Sequence, residues 1–304
     1  MGRLFTTLLM LVAAGSALAL ELPLSADSHV VGKDRVLVAT YEDTFVKIAR
    51  LHDLGYQELV QANPGVNPWI PGEGTKVILP TRFVLPQAPR RGIVINLPEL
   101  RLYYFPDGDS GRVITHPISI GRMEWRTPLG LTEVYSKVEN PTWYPPQSIR
   151  DERAAQNRPL EAVVPPGPDN PLGKHAMRLA LPGYLIHGTN MPAGVGMRVT
   201  HGCIRMFPED IEALYHDVPV GTPVRIVNQP VKLGRSGTDY YLEAHPLLDE
   251  ALQGDQPSIM TELTRAYVAA IEEGQGDRFD WEMAERVVLS SRGVPQFISS
   301  DGPL

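Results

Sequence analysis

The sequence predicts a mainly β protein, with a small strand–helix–helix–strand unit before the main sheet and a partly helical tail after it. Three observations carry this. Between residues 92 and 228 the apolar residues alternate with period two, as in half-buried strands. Between Asp43 and Ala62, and again after Ser258, they fall at helical spacing. The 29 prolines, near twice the usual share of about 5%, suit strands and irregular loops better than a helix bundle.

The first nineteen residues read as a secretory signal. Arg3 gives a positive start, Leu4 to Val12 is mostly apolar, and Ala17-Leu18-Ala19 fits a small-x-small cleavage site. The apolar stretch is shorter than the ~20 residues of a spanning helix, so no stable membrane span is expected. Hydrophobic residues are 43% and charged residues 21%, enough apolar content for a sizeable core. Without Arg3 the count is 27 basic against 35 acidic residues, a mature charge of −8, which argues against nucleic acid or anionic membrane as the main partner.

Residues 36–83 form the first unit. Arg35 to Ala39 is a strand, Asp43-Thr44 offers an N-cap to a helix with Phe45, Ile48 and Ala49 inward, and Tyr56 to Ala62 is a second short helix. Asn63-Pro64-Gly65 breaks it, and Thr75 to Leu79 is the closing strand. Pro80, Pro86 and Pro89 mark a stiff segment whose core, residues 84–91, is a proline-rich linker holding neighbouring domains apart. The two units thus read as separable, and removal of residues 20–86 is expected to spare the chemistry on small substrates.

Residues 92–228 follow. Ile93 to Asn96 and Arg101 to Phe105 flank a hairpin turn; Val113-Ile114, Pro117 to Ile120 and Thr132 to Val138 extend the sheet; Tyr184 to His187 and Pro223 to Val227 are further strands, the last closing the domain. Pro208 to Asp217 is the one convincing helix, and the whole reads as a mainly antiparallel sandwich or closed sheet. The proline-rich connection 141–175 is long enough to be a lid over the site or a mobile insertion. In the extension, residues 229–304, Asp239 to Leu242 is a strand, and Ser258 and Trp281 open two helices.

The chemistry centres on Cys203, the only cysteine. A lone thiol in an exported protein cannot form an internal disulfide and points to a reactive group. His201 is adjacent, and His187 ends an apolar run 16 positions upstream. A neighbouring imidazole taking the thiol proton gives a thiolate–imidazolium pair, the minimum for acyl transfer through a thioester. Both histidines compete for this role; a base on a separate rigid strand faces the sulfur directly, which favours His187. The Gly188 carbonyl can hold its other ring nitrogen. The peptide N–H groups of His201, Gly202 and Cys203 can stabilise an oxyanion. The other histidines, His29, His52, His116, His175, His216 and His245, show no ligand spacing, and Asp107-Gly108-Asp109-Ser110-Gly111 reads as a turn, not a calcium loop.

Two resemblances follow from these residues. Asp43-Thr44-Phe45, Ile48-Ala49, Ala62-Asn63-Pro64, Pro71-Gly72 and the strand into Pro80 resemble a LysM module, with Glu42 and Phe45 in place of the family's usual glycine and leucine. This implies glycan binding to peptidoglycan. His187-Gly188-Thr189-Asn190, Thr200-His201-Gly202-Cys203-Ile204-Arg205-Met206, Ser119-Ile120-Gly121, Thr127-Pro128-Leu129-Gly130, Asn140-Pro141-Thr142-Trp143 and Gly221-Thr222-Pro223-Val224 resemble the L,D-transpeptidase (YkuD) catalytic domain over about residues 91–228, with Thr200 for the usual serine. The resemblance implies a YkuD-type β-sandwich in a periplasmic peptidoglycan enzyme. Cys203 is then the nucleophile and His187 the base, while Gly188, Thr200, His201, Gly202 and Arg205 shape the site. No cofactor or metal is required. Cys203 releases D-alanine from a tetrapeptide stem, and an amine then takes the acyl group. That amine belongs to a second stem's diamino acid (a 3–3 cross-link), to a lysine of an outer-membrane lipoprotein, or to a free D-amino acid. Carbapenems acylate such thiols. Two alternatives remain: a metal hydrolase using His187, His201 and Cys203, separable by chelation against thiol reagents, and a non-catalytic wall-binding protein, separable by carbapenem labelling.

Overall fold

The computed structural model describes residues 19–106, 111–248, 258–272 and 279–299. The signal segment up to Leu18 and the turn at 107–110 lie outside them. In chain order the elements begin with β1 (Leu20–Pro23), β2 (Val30–Gly32), β3 (Arg35–Val38), α1 (Phe45–Leu51), α2 (Tyr56–Ala62), β4 (Lys76–Leu79) and β5 (Arg82–Val84). Then come β6 (Gly92–Asn96), β7 (Arg101–Phe105), β8 (Arg112–Pro117), β9 (Ile120–Gly121), β10 (Gly130–Glu139), α3 (Gln147–Ala155), β11 (His175–Leu179), β12 (Leu185–His187), β13 (Arg198–Thr200), β14 (Ile204–Arg205), α4 (Pro208–Asp217) and β15 (Pro223–Val227). The extension adds β16 (Val231–Ser236), β17 (Asp239–Ala244), α5 (Ile259–Glu272), α6 (Trp281–Ser290) and β18 (Gln296–Phe297).

Nine strands form one sheet in the order β1-β8-β7-β6-β15-β10-β11-β12-β14. Most pairs are antiparallel, but β15 pairs β6 and β12 pairs β14 in parallel. So β15, the last strand of the domain in sequence, sits inside the sheet. The register of β10 against β11 shifts between Val134 and Ser136. Such an irregularity bends a strand, and residues from both halves of the sheet, Ile93 and Leu102 on one side and Met177, Ile186 and Ile204 on the other, share a single core with Ile211 and Leu214 of α4. The sheet therefore curls around one apolar centre.

The other face of β6–β8 has a different cover. Val94, Tyr103 and Phe105 pack there against Val31, Phe83 and Leu85. This corrects the expected spacer. Pro80 and Pro86 flank an apolar run that pairs with β2 and is buried, because the outward face of β6 and β7 is as apolar as the inward one. The second layer of the expected sandwich is thus this two-stranded ribbon and the extension behind it.

The first unit is a βααβ fold. β3 and β4 are antiparallel, the Thr44 hydroxyl accepts the Lys47 N–H at 3.2 Å as an N-cap, and Phe45, Ile48, Leu54, Leu59 and Val77 form its core. It is docked on the sheet by Arg101 of β7, which is fully buried. The Arg101 guanidinium donates to both carboxylate oxygens of Glu58 on α2, at 2.7 and 3.0 Å, and to the Asp53 carbonyl at 3.0 Å. The extension has its own core of α5 and α6 on the β16-β17-β18 sheet. Buried Lys232 ties it to the β6–β7 turn, lying 2.8 Å from Glu99 and 2.9 Å from Glu243. Among the described residues, no helix is long and apolar enough to cross a membrane.

Candidate active site

Two short parallel strands bring the His187 and Cys203 segments together. Ile186 pairs with Ile204 and His187 with Arg205. Ile186 and Ile204 enter the core, so by strand alternation Leu185, His187 and Arg205 face the opposite side. Cys203 immediately precedes β14, beside Leu185. Its sulfur donates to the Gly183 carbonyl at 3.6 Å.

His187 is buried, and its Nδ1 lies 2.6 Å from the Gly188 carbonyl. A carbonyl only accepts, so Nδ1 carries the proton and the lone pair of the neutral ring is on Nε2. Burial, reinforced by the nearby Arg205 charge, pushes the His187 pKa down to about 4. Burial also pushes the Cys203 thiol up, and Arg205 opposes this too weakly to win. Both shifts favour thiol and neutral imidazole over the thiolate–imidazolium pair in the resting site. The missing solvation that favours the ion pair in water is the physical reason.

The turn 200–203 is braced by hydroxyls. Thr200 Oγ1 donates to the Cys203 carbonyl at 2.6 Å and accepts the Gly202 N–H at 3.2 Å. Thr127 Oγ1 donates to the Gly202 carbonyl at 2.8 Å. The Gly202 N–H is thus committed within the turn, which takes it out of the expected set of oxyanion donors. Gly202 has φ +100°, and a Cβ there would lie 2.9 Å from Tyr184 Cε1. Gly202→Ala is accordingly expected to lower stability by about 1–3 kcal/mol through left-handed strain alone. It should also displace Cys203, slowing acylation by more than the stability loss explains. Thermal unfolding and acylation rate measured on one preparation check this.

His201 is held by groups the sequence did not single out. Its Nε2 lies 2.8 Å from Glu152 Oε2 and 3.0 Å from Arg122 Nη2, and its ring meets Trp125 edge-on with centroids 5.2 Å apart. Arg122 donates to the other Glu152 oxygen at 2.8 Å. Hydrogen bonds from Arg122, then His201, hold Glu152 below the usual carboxylate range. Glu152 belongs to α3, a helix inside the 141–175 connection where no helix was expected. That connection is built, not loose. Buried Asn170 donates to the Pro141 carbonyl at 2.8 Å and to the Pro165 carbonyl at 3.1 Å, and Trp143 pairs with Val164.

Gly188 packs under Ile211, where a Cβ would lie 3.1 Å from Ile211 Cγ2. Among the described residues, the ligating atoms of His187, His201 and Cys203 do not gather within 4.8 Å of one another, so they do not form the zinc ligand set of the first alternative. The missed site residues are Arg122, Trp125, Thr127, Glu152 and Tyr184. Thr127 and Tyr184 stand in segments singled out above, and only the fold shows that they converge with Arg122, Trp125 and Glu152.

The YkuD family, the L,D-transpeptidase catalytic domain, matches residues 90–226. Probable L,D-transpeptidase YcfS of Escherichia coli K12 is 40% identical over 294 residues, covering 92% of this chain and 91% of its own. Probable L,D-transpeptidase YbiS of the same strain is 37% identical over 287 residues, 92% of each. A solved L,D-transpeptidase from Mycobacterium smegmatis aligns at 19% identity and TM-score 0.36 over 51% of this chain and 63% of that one. The matched catalytic domain and these relatives define a transpeptidase enzyme. The chain belongs to the L,D-transpeptidase family.

Proposed function

We propose that this enzyme acts on peptidoglycan through a thioester on Cys203. The observation that carries the reading is the pairing of β12 with β14, which sets a buried, neutral imidazole of fixed tautomer on the strand beside the cysteine's own. As Sγ attacks the carbonyl between the L-centre of the diamino acid and the terminal D-alanine, His187 Nε2 takes the thiol proton. The N–H groups of His201 and Cys203 face the developing oxyanion. The C–N bond breaks, His187 returns the proton to the leaving amine, and D-alanine departs. An acceptor amine then attacks the thioester, giving its proton to His187 and restoring the thiol. A stem diamino acid and a lipoprotein lysine both fit as acceptors. The cysteine and histidine roles favour catalysis over a purely wall-binding protein.

Two further parts of the reading concern location. The Ala17-Leu18-Ala19 segment supports export to the periplasm. The βααβ unit exposes Tyr41, Trp69 and Ile70 on its loops. Exposed aromatic faces of this kind suit stacking on sugar rings, which supports glycan binding by a LysM-like module.

The test is mass spectrometry of products from a disaccharide tetrapeptide, with and without a lipoprotein peptide. Release of D-alanine without any acyl transfer would leave a carboxypeptidase in place of a transpeptidase.

His187→Ala is expected to slow acylation by about 10²- to 10⁴-fold, and His201→Ala by less, because His201 Nε2 is already engaged by Glu152. The acid limb of the acylation rate should fall near pH 4, where His187 takes its proton, rather than near 6.5. Rates from pH 3.5 to 8 decide; a limb at 6.5 assigns the base to a solvated histidine.

A further inference from the structure

A second cluster of ionisable groups lies where the βααβ unit, the sheet and α4 meet. Asp53 comes from the turn between α1 and α2, His116 from β8 and Asp210 from the first turn of α4. All three are buried. His116 Nδ1 lies 3.5 Å from Asp53 Oδ2 and 3.6 Å from Asp210 Oδ1. Against its burial, the Asp53 and Asp210 charges push the His116 pKa up to about 10, so one imidazolium faces two carboxylates, and His116 Nδ1, Asp53 Oδ1 and Asp210 Oδ2 make no hydrogen bond. The neighbouring charges are already paired, Arg101 with Glu58 and Glu209 with Arg50. An unbalanced buried charge is unfavourable; burial, and then the Asp53 charge, push the Asp210 carboxyl up to about 7.

A fourth group points in. The Leu20 N–H donates to Asp53 Oδ2 at 2.9 Å. Leu20 is the first residue of β1 and the first after Ala17-Leu18-Ala19.

The same chain contains the completed version of this arrangement. Glu99, Glu243 and His245 also form a buried two-carboxylate, one-histidine cluster, and there the Lys232 ammonium sits 2.8 and 2.9 Å from the two carboxylates. The first cluster has no lysine; it has the Leu20 nitrogen.

We propose that the Asp53–His116–Asp210 pocket seats the mature amino terminus, so that hydrolysis of the Ala19–Leu20 bond supplies the missing cation. The inference rests on the export reading. In the step, water's hydroxyl goes to the Ala19 carbonyl carbon and a proton to the Leu20 nitrogen as the C–N bond breaks. The free amine takes a second proton from solvent, since its ordinary pKa is about 7.7–8.0 and an adjacent carboxylate favours the charged form. One N–H donor becomes three, and two carboxylates then face two cations. A divalent cation is the rival occupant, because the ligating atoms lie within 4.8 Å of one another. The placed Leu20 nitrogen and the lysine-filled counterpart favour the ammonium. Processing would then fasten β1, the glycan-binding unit and the helix that follows Cys203 at one point.

The test compares three proteins: the exported form, a form released from a fusion with a free amine at Leu20, and a form that keeps Ala19 at its start. Intact mass should place the exported terminus at Leu20. The Leu20 amine should acylate about tenfold more slowly at neutral pH than the same amine in an unfolded peptide, the equivalent of one pKa unit. Keeping Ala19 should lower the melting temperature by several degrees, and Asp53→Asn should erase that difference. A retained leader or another cut site overturns the export premise. A cut at Leu20 with a fully reactive amine and equal melting temperatures overturns the seat itself. A stoichiometric metal ion, lost in Asp53→Asn and unaffected by Ala19, overturns it in favour of the cation.

Discussion

Cys203→Ala is expected to abolish D-alanine release and to leave a protein that forms no covalent carbapenem adduct. There is no second thiol in the chain, and removal of a nucleophile can lower turnover on the order of 10⁶-fold. The fold should tolerate the change. The sulfur makes one long hydrogen bond, to the Gly183 carbonyl, and the turn that carries it is held by Thr200 and Thr127 rather than by the thiol. The stability change should therefore stay within about 1 kcal/mol. Intact mass after carbapenem treatment, with a melting curve on the same sample, checks both halves. An adduct on the variant would move the nucleophile elsewhere.

Much of this was legible because the signals are local. α1, α2 and α4 announce themselves by a cap residue, a breaker and apolar spacing over a few turns. His187 stands at the end of its apolar run, and the Gly188 carbonyl is its chain neighbour, so even that hydrogen bond could be anticipated. What was not legible depends on partners far away in sequence. α3 carries one buried residue, Ile149, among polar ones and lies between prolines, so no apolar stripe marks it. Phe83 to Leu85 looks like a spacer until the outward face of β6 and β7 asks for a cover. The role of Glu152 at His201 spans 49 positions, and the Asp53–His116–Asp210 cluster draws on three elements. The mainly antiparallel order holds, but the parallel pairs of β15 with β6 and β12 with β14 were not legible, because strand alternation reports burial and says nothing of direction.

That same geometry reverses the expectation that removal of residues 20–86 spares the chemistry on small substrates. Their deletion is expected to unfold the catalytic sheet. β1 would leave β8 as a bare edge, and the loss of Val31, Phe83 and Leu85 would expose Val94, Tyr103 and Phe105. Arg101 would lose the Glu58 carboxylate and the Asp53 carbonyl that hold its guanidinium in the intact protein. A point variant isolates that term. Glu58→Ala is expected to lower stability by about 3–5 kcal/mol, the loss typical of stranding one member of a buried ion pair, and it also removes the carboxylate that accepts the Gly55 N–H at the start of α2. Replacing both partners, Glu58→Leu with Arg101→Met, should recover most of the loss, since an apolar pair of similar volume often matches a buried salt bridge. Urea unfolding of Glu58→Leu, Arg101→Met and the double variant completes the cycle. If Glu58→Ala loses under about 1 kcal/mol with an unchanged urea dependence, the ion pair does not hold the two units together.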